Sequence, residues 1–258
     1  MRLFKKCLRR LLLGAGWLGI TSSCFSQGVA GKAQTVTFEG QTYVIHQIDP
    51  RKDDLRLFWK DDKGSLLHDF QGVEKQLEAK GEKLVFAANA GMFEPNSNPV
   101  GLLVQDGAEI NPINLNDAPG NFYLKPNGVF LINQKHQAMV VESSLYAGLL
   151  SPAQWATQSG PMLVFGGTIH PEFNADSKSL KVRSGVGVRK DGMVVFALSQ
   201  KPVTFYEFAS LFRNRLQCPD ALFLDGDISA FYFPSVKDVT PHSFGAMVGV
   251  VEKMTADK

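Results

Sequence analysis

Cysteine and histidine are scarce in this chain of 258 residues, which has three of the first and five of the second. Cys7 and Cys24 fall within the first thirty positions, so only Cys218 lies beyond them. That set supports neither a disulfide framework nor a CxxC metal pattern. Cys218 follows a helical pattern with no flanking base, the setting of a small buried apolar residue and not of a nucleophile. No HxH or HxxxH pair occurs among His46, His68, His136, His170 and His242, which speaks against zinc ligation. A long apolar run is missing too: residues 11–20 are apolar but too few to cross a bilayer as a helix.

That short run sits in a recognisable context. Arg2, Lys5, Lys6, Arg9 and Arg10 precede it, and small polar residues follow at 21–26, which is the pattern of a secretory signal peptide. Residues 1–26 are therefore expected to be a signal peptide and residues 27–258 one exported domain, periplasmic or secreted. Lipoprotein processing at Cys24 is the competing reading. Thr21 is a poor residue three places before a lipidated cysteine, so ordinary cleavage near Ser26 is preferred, with a lipid anchor at Cys24 left open. The first thirty residues hold no acidic side chain, so their five basic ones account for the step from +2 for the whole chain to −3 for the remainder. A mildly acidic domain without a basic run is not expected to bind nucleic acid. No linker, repeat or low-complexity tract divides the remaining residues, and their number suffices for one substantial core.

The pattern along the chain is mainly short strands and turns. Residues 35–38, 42–47 and 55–59 read as an opening meander, 73–79 as a short helix ended by Gly81, and 83–88 as a buried strand. Asp106-Gly107, Gly166-Gly167 and Asp191-Gly192 each sit between apolar segments as hairpin turns. Residues 153–157 read as a short helical segment. The clearest helix is 205–216, opened by Thr204 and Glu207 as a capping-box pair, with Phe205, Phe208, Ala209, Phe212 and Leu216 on one face. Many strands and few helices predict an α+β single domain on a large mixed β-sheet with a few packed helices.

Chemistry concentrates where apolar segments end in polar and glycine-rich clusters. The foremost is Leu222-Phe223-Leu224-Asp225-Gly226-Asp227-Ile228-Ser229, an apolar strand ending in acids and a hydroxyl. A carboxylate at the end of a buried strand is held rigidly while still reaching a cleft. Four such stretches occur in order: NAGMFEPNSNPVGLLVQDG (89–107), QSGPMLV (158–164), VRSGVGV (182–188) and LFLDGDISAFYFP (222–234).

Together these four resemble the phosphodiester glycosidase family over residues 89–251. That family includes the uncovering enzyme, which removes N-acetylglucosamine from its phosphodiester linkage to mannose, and many exported bacterial relatives. The resemblance implies a hydrolase that cleaves an N-acetylglucosamine-like sugar from a sugar-1-phosphodiester. It matches Asn89 and Gly91 to the family's first motif, with Ala90 where a glycine is common, and Pro99 and Gly101 to its downstream part. Ser159, Gly160 and Pro161 match a substrate-side loop, Arg183 the basic residue of the third motif, and Asp225-Gly226 the start of the last. Asp227 and Ile228 stand where the uncovering enzyme has glycines, a departure that points to a bacterial branch.

The residues suit such chemistry. A departing phosphomonoester is weakly basic, so one strong carboxylate and a phosphate clamp suffice. Arg183 fits the clamp because a guanidinium grips phosphate oxygens bidentately. Asp225 is the expected nucleophile or general base, with Asp227 or Glu94 as its assistant. Gly185, Gly187 and Gly226 permit close backbone approach, and Asn89, Ser159 and Ser229 offer donors, with Gly91 and Gly160 completing their loops. His170 is a further candidate for binding the sugar or acting as an acid, and Tyr232 for stacking on it. No cofactor is expected, although calcium on Asp225 and Asp227 stays open because both offer hard oxygens. Two alternatives stand beside the glycosidase: a non-catalytic glycan-binding module of the cell envelope, and a phosphodiesterase that breaks the P–O bond.

Overall fold

A computed structural model describes residues 33–235 and 243–254. The signal-peptide segment, Cys24 and His242 lie outside them. No helix among the described residues is long and apolar enough to cross a membrane.

The α+β class holds, with the strands divided among three sheets in which every pair is antiparallel. The first, seven-stranded, runs β1 (Gln34–Phe38), β2 (Gln41–Ile48), β13 (Val194–Ser199), β12 (Ser184–Val188), β14 (Asp220–Asp225), β10 (Met162–Phe165) and β11 (Thr168–Ile169). The second orders β15 (Phe231–Tyr232), β4 (Glu82–Asn89), β16 (Met247–Lys253) and β3 (Asp54–Phe58). The third orders β6 (Ala108–Asn111), β5 (Leu103–Gln105), β9 (Ala153–Ser159), β7 (Gly128–Asn133) and β8 (Ala138–Glu142).

One apolar cluster draws on all three sheets, with Val186, Phe196 and Leu222 from the first, Phe86, Val248 and Val250 from the second, and Phe130, Ile132 and Val140 from the third. The other face of the first sheet is covered by α2 (Phe205–Ser210), whose Phe208 and Ala209 meet Val195, Ala197 and Phe223. Both faces of β14 are therefore buried. Leu222 and Leu224 go to one cluster and Ala221 and Phe223 to the other, the two-residue alternation of a strand. Each of Leu222, Phe223 and Leu224 contributes about 1.5–3 kcal/mol of burial, which fixes the strand and with it the position of its last residue, Asp225. On the second sheet α1 (Phe70–Glu78) packs Val73 and Leu77 against Leu84, Ala87 and Met247, and Asp69 caps it by accepting from the Gly72 amide at 2.7 Å.

Local turn chemistry reads through into structure. Asp106 and Gly107 have φ of 51° and 77°, Gly166 and Gly167 of 55° and 80°, the left-handed pairs that tight hairpins need. Thr204 Oγ1 accepts from the Glu207 amide at 3.1 Å while Glu207 Oε2 accepts from the Thr204 amide at 2.7 Å. After Ser210 the helix continues as one wider turn, Leu211–Arg215, closed by the Leu216 amide on the Leu211 carbonyl at 2.9 Å. Residues 153–157, expected as helix, form most of strand β9. Its partners β5 and β7 are distant in sequence, and their pairing outweighs the local preference of two alanines.

His46 on β2 is 2% exposed, stacked on Phe86 with centroids 4.1 Å apart, and its Nδ1 has no partner among the described residues. Burial lowers its pKa from 6.5 to about 4. Because the folded value is the lower one, the unfolded chain takes the proton more readily. The neutral ring's contribution is fully present above pH 6.5 and is lost as pH falls through about 4. The loss amounts to about 3 kcal/mol. Urea unfolding at pH 7 and pH 4.5 should show a marked fall for the wild type and a smaller one for His46→Leu.

Candidate active site

The register of β12 against β14 builds the site. Ser184 pairs with Asp225, and a bulge follows between Ser184 and Gly185. Arg183, one residue before β12, thus comes beside Gly226, one residue beyond β14. Arg183, Asp225, Gly226 and Asp227 line one cavity of about 280 Å³, joined by Met92, Asn121, Ser179, Lys181 and Phe223.

Arg183 is only 1% exposed. Its Nε donates to the Val203 carbonyl at 3.0 Å and its Nη2 to the Ser179 carbonyl at 3.1 Å, while its guanidinium lies 3.6 Å from the centre of the Phe205 ring. No carboxylate of the described residues lies within 4 Å of it. Burial lowers its pKa to about 10, with the Asp227 charge acting in the opposite direction. A buried cation held by carbonyls and an aromatic face, and matched to no anion of the described residues, is disposed to take one from outside.

Asp225 is fixed by the turn it starts. Its Oδ1 accepts from the amides of Asp227 at 2.6 Å and Ile228 at 2.9 Å, while its Oδ2 has no hydrogen-bond donor among the described residues. One oxygen anchors the carboxylate and the other is available to substrate or water. Asp227 pairs with Lys181 Nζ at 2.8 Å at the exposed rim, where such a pair contributes about 1 kcal/mol or less.

The remaining sequence candidates are placed around this cavity and do not line it. Asn89, at the end of β4, accepts from the Ala230 amide at 3.2 Å and so ties the first motif to the last. Ser159 donates to the Leu224 carbonyl at 3.2 Å, and Ser229 to the Asp225 carbonyl at 2.8 Å. These hydroxyls are engaged in holding the strand end. Gly160 lets the Phe122 carbonyl approach to 2.5 Å of where a Cβ would sit, which seats the turn carrying Asn121. Gly185 faces Phe208 of α2 at 3.0 Å by the same measure. Glu94 is exposed on a turn closed by its own backbone bond to Asn98. His170 is buried, stacks on Phe173 at 4.7 Å, and connects through Phe173 and Phe205 to the Arg183 guanidinium as one column of rings. Burial lowers its pKa against opposing effects of the Lys125 carbonyl and Glu172. Tyr232 donates its hydroxyl to Glu74 on the α1 side, and Cys218 is buried with its thiol pushed up to about 12.

Lys181, Asn121, Ser179 and Met92 are cavity residues that sequence reasoning passed over. A signal existed for Lys181, because positions two apart on an extended segment share a face and Arg183 is two further on. Ser179 lies on the same segment, two residues before Lys181, whereas Asn121 and Met92 approach from distant parts of the chain. Among the described residues no group of three or more His, Cys, Asp or Glu side chains converges as a metal site would.

Two glycines separate frame from cavity. A Cβ at Gly91 would sit 2.1 Å from the Gln158 carbonyl oxygen, whereas one at Gly226 would sit 3.2 Å from the Phe223 ring and 3.7 Å from Arg183 Nη1. Gly91→Ala is expected to cost about 3 kcal/mol or more. Gly226→Ala should stay within about 1 kcal/mol of wild type yet weaken anion binding, by placing a methyl group in the cavity. Thermal unfolding and phosphate titration of the two variants check this.

A family model described as phosphodiester glycosidase matches residues 82–246. The chain is 30% identical over 191 residues to the uncharacterized protein YigE of Escherichia coli K12, covering 74% of each. Its fold is similar to the catalytic domain of zebrafish N-acetylglucosamine-1-phosphodiester alpha-N-acetylglucosaminidase, auto-inhibited by its pro-peptide, with a TM-score of 0.60 and 14% identity over 85% of this chain and 81% of that one. A hypothetical protein from Synechocystis is similar with a TM-score of 0.55 and 15% identity over 85% of this chain and 61% of the other.

Proposed function

Since the chain belongs to the phosphodiester glycosidase family, we propose that it hydrolyses a sugar-1-phosphodiester, releasing an N-acetylglucosamine-like sugar and a phosphomonoester. The observation that carries this reading is Arg183, a buried guanidinium with no carboxylate of the described residues within 4 Å, opening into the cavity that Asp225 lines.

Arg183 binds the diester's single negative charge and orients the scissile C1–O bond toward Asp225. As that bond breaks, the electron pair leaves with the phosphate oxygen and positive charge develops at C1 and the ring oxygen. The Oδ2 of Asp225 attacks C1 directly, or takes the proton from a water that does; either role suits an oxygen with no protein donor. Asp227 is the assisting carboxylate within the cavity, its charge moderated by Lys181, and Glu94 lies outside the lining. The phosphomonoester needs little protonation to depart. The basic head and apolar run of residues 1–26 support a reaction outside the cytoplasm.

The test is release of free sugar from a panel of sugar-1-phosphodiesters by purified mature protein in isotope-labelled water, with and without chelator. Label in the sugar supports C–O cleavage. Label in the phosphate would transfer the reaction to the phosphorus centre, and saturable binding without release would leave a glycan-binding module.

A further inference from the structure

A cavity of about 640 Å³ lies apart from Arg183, between the outer edge of β3 and the end of the third sheet around β9 and the β7–β8 turn. Trp155 on β9 gives it an aromatic wall. This tryptophan is half-buried, and its indole N–H makes no hydrogen bond within the described residues, whereas Trp59 donates to the Ser97 carbonyl at 2.8 Å. Tryptophan that is covered by protein normally pairs its N–H, so an indole left open beside a cavity this size invites a ligand acceptor.

The polar wall is made of amides. Gln105 donates to the Leu57 carbonyl at 3.2 Å and Gln154 donates to Asp106, which leaves both side-chain oxygens free to accept. Gln134, exposed on the β7–β8 turn, has no side-chain partner among the described residues. Of the cations in the lining, Arg56 pairs with Asp54 and, at 2.9 Å, with Glu82, Lys80 pairs with Asp62 at 2.7 Å, and Lys60 lies 3.9 Å from the centre of the Trp59 ring, while the carboxylates of Asp53, Asp54, Asp62 and Asp106 share the same lining. An anion would find little uncompensated positive charge here, in contrast to the Arg183 cavity. An aromatic face beside several amide groups and balanced charge suits a neutral, polyhydroxylated ligand.

We propose that this groove is a second, non-catalytic site for a neutral saccharide, holding part of a glycan whose phosphodiester is cleaved at Asp225. The proposal rests on the glycosidase reading for the saccharide nature of the substrate. Strand β9 joins the two places: Trp155 is its third residue and Ser159, bonded to the Leu224 carbonyl, its last, about 13 Å further along the strand.

The experiment is calorimetric titration of the mature protein with neutral oligomers of N-acetylglucosamine, mannose and glucose, with inorganic phosphate as the anion arm. Saturable binding of at least one oligomer is expected, undisturbed by saturating phosphate and retained in Arg183→Met. Trp155→Ala should weaken it about tenfold, the loss of one stacking face. Gln134→Ala, at an exposed turn where folding is not at stake, should weaken it about threefold. No binding of any oligomer, binding displaced by phosphate, or binding indifferent to both variants would overturn the proposal. The test requires no turnover, so Arg183-dependent sugar release could stand while this groove proves empty, or the reverse.

Discussion

Asp225→Asn is expected to lower sugar release from a phosphodiester by about 10³-fold while leaving the urea unfolding midpoint near that of wild type. The contrast follows from the two oxygens having different tasks. Oδ1 accepts the amides of Asp227 and Ile228, and an asparagine keeps an oxygen there, so the turn and the end of β14 persist. The other position becomes an amide nitrogen, which can neither attack C1 nor take a proton from water. Asp225→Ala is a poorer test because it removes both anchoring bonds as well, at about 0.5–1.5 kcal/mol each. Equal activity of Asp225→Asn and wild type would remove Asp225 from the mechanism. A large loss of stability in Asp225→Asn would show that its charge, and not only its acceptor, holds the turn.

The second large effect belongs to Arg183. Replacing it with methionine should reduce turnover by about 10²–10³-fold and abolish measurable phosphate binding, since no other cation of the cavity is both buried and free of a carboxylate. Stability should be unchanged or slightly raised. The guanidinium is desolvated without an ionic partner, and an apolar side chain of similar length can stack on Phe205 without that cost. Arg183→Lys keeps the charge but loses the planar fork and the ring contact, so binding should fall between the two. In the wild type, affinity for dimethyl phosphate should decline as pH rises through about 10, where the lowered arginine pKa puts loss of the cation. A methionine variant that unfolds in step with its loss of binding would reduce Arg183 to a structural residue.

The two residues for which these effects are expected stand out in the sequence because each ends or borders an apolar segment in a motif of distinct composition, and the structure brings both to one cavity. Their neighbours were less accessible. Ser159 and Ser229 carry donors that a sugar or phosphate site wants, yet each hydroxyl is engaged with a backbone carbonyl at the end of β14, and Asn89 uses its Oδ1 to accept the Ala230 amide while its Nδ2 has no partner among the described residues. A side chain's chemistry is visible in sequence, while its hydrogen-bond partner depends on which strand lies beside it. Lys181, Asn121, Ser179 and Met92 reach the cavity from three separate segments, and only the one carrying Ser179 and Lys181 runs on to Arg183. The segment 153–157 failed for a related reason, since its strand character comes from β5 and β7 and not from its own residues.

Alternation, turn pairs and capping residues by themselves determined that this chain is an α+β protein with hairpins at Asp106-Gly107 and Gly166-Gly167 and a helix starting after Thr204. Four ordered motifs determined its family. These features are legible because each rests on residues within a few positions of one another. The tertiary structure alone decided that the strands separate into three sheets, that Arg183 packs on Phe205 with no carboxylate of the described residues within 4 Å, and that Trp155 opens on a second cavity. Burial and charge pairing are sums over neighbours from distant parts of the chain, and those neighbours are set only when the sheets pack.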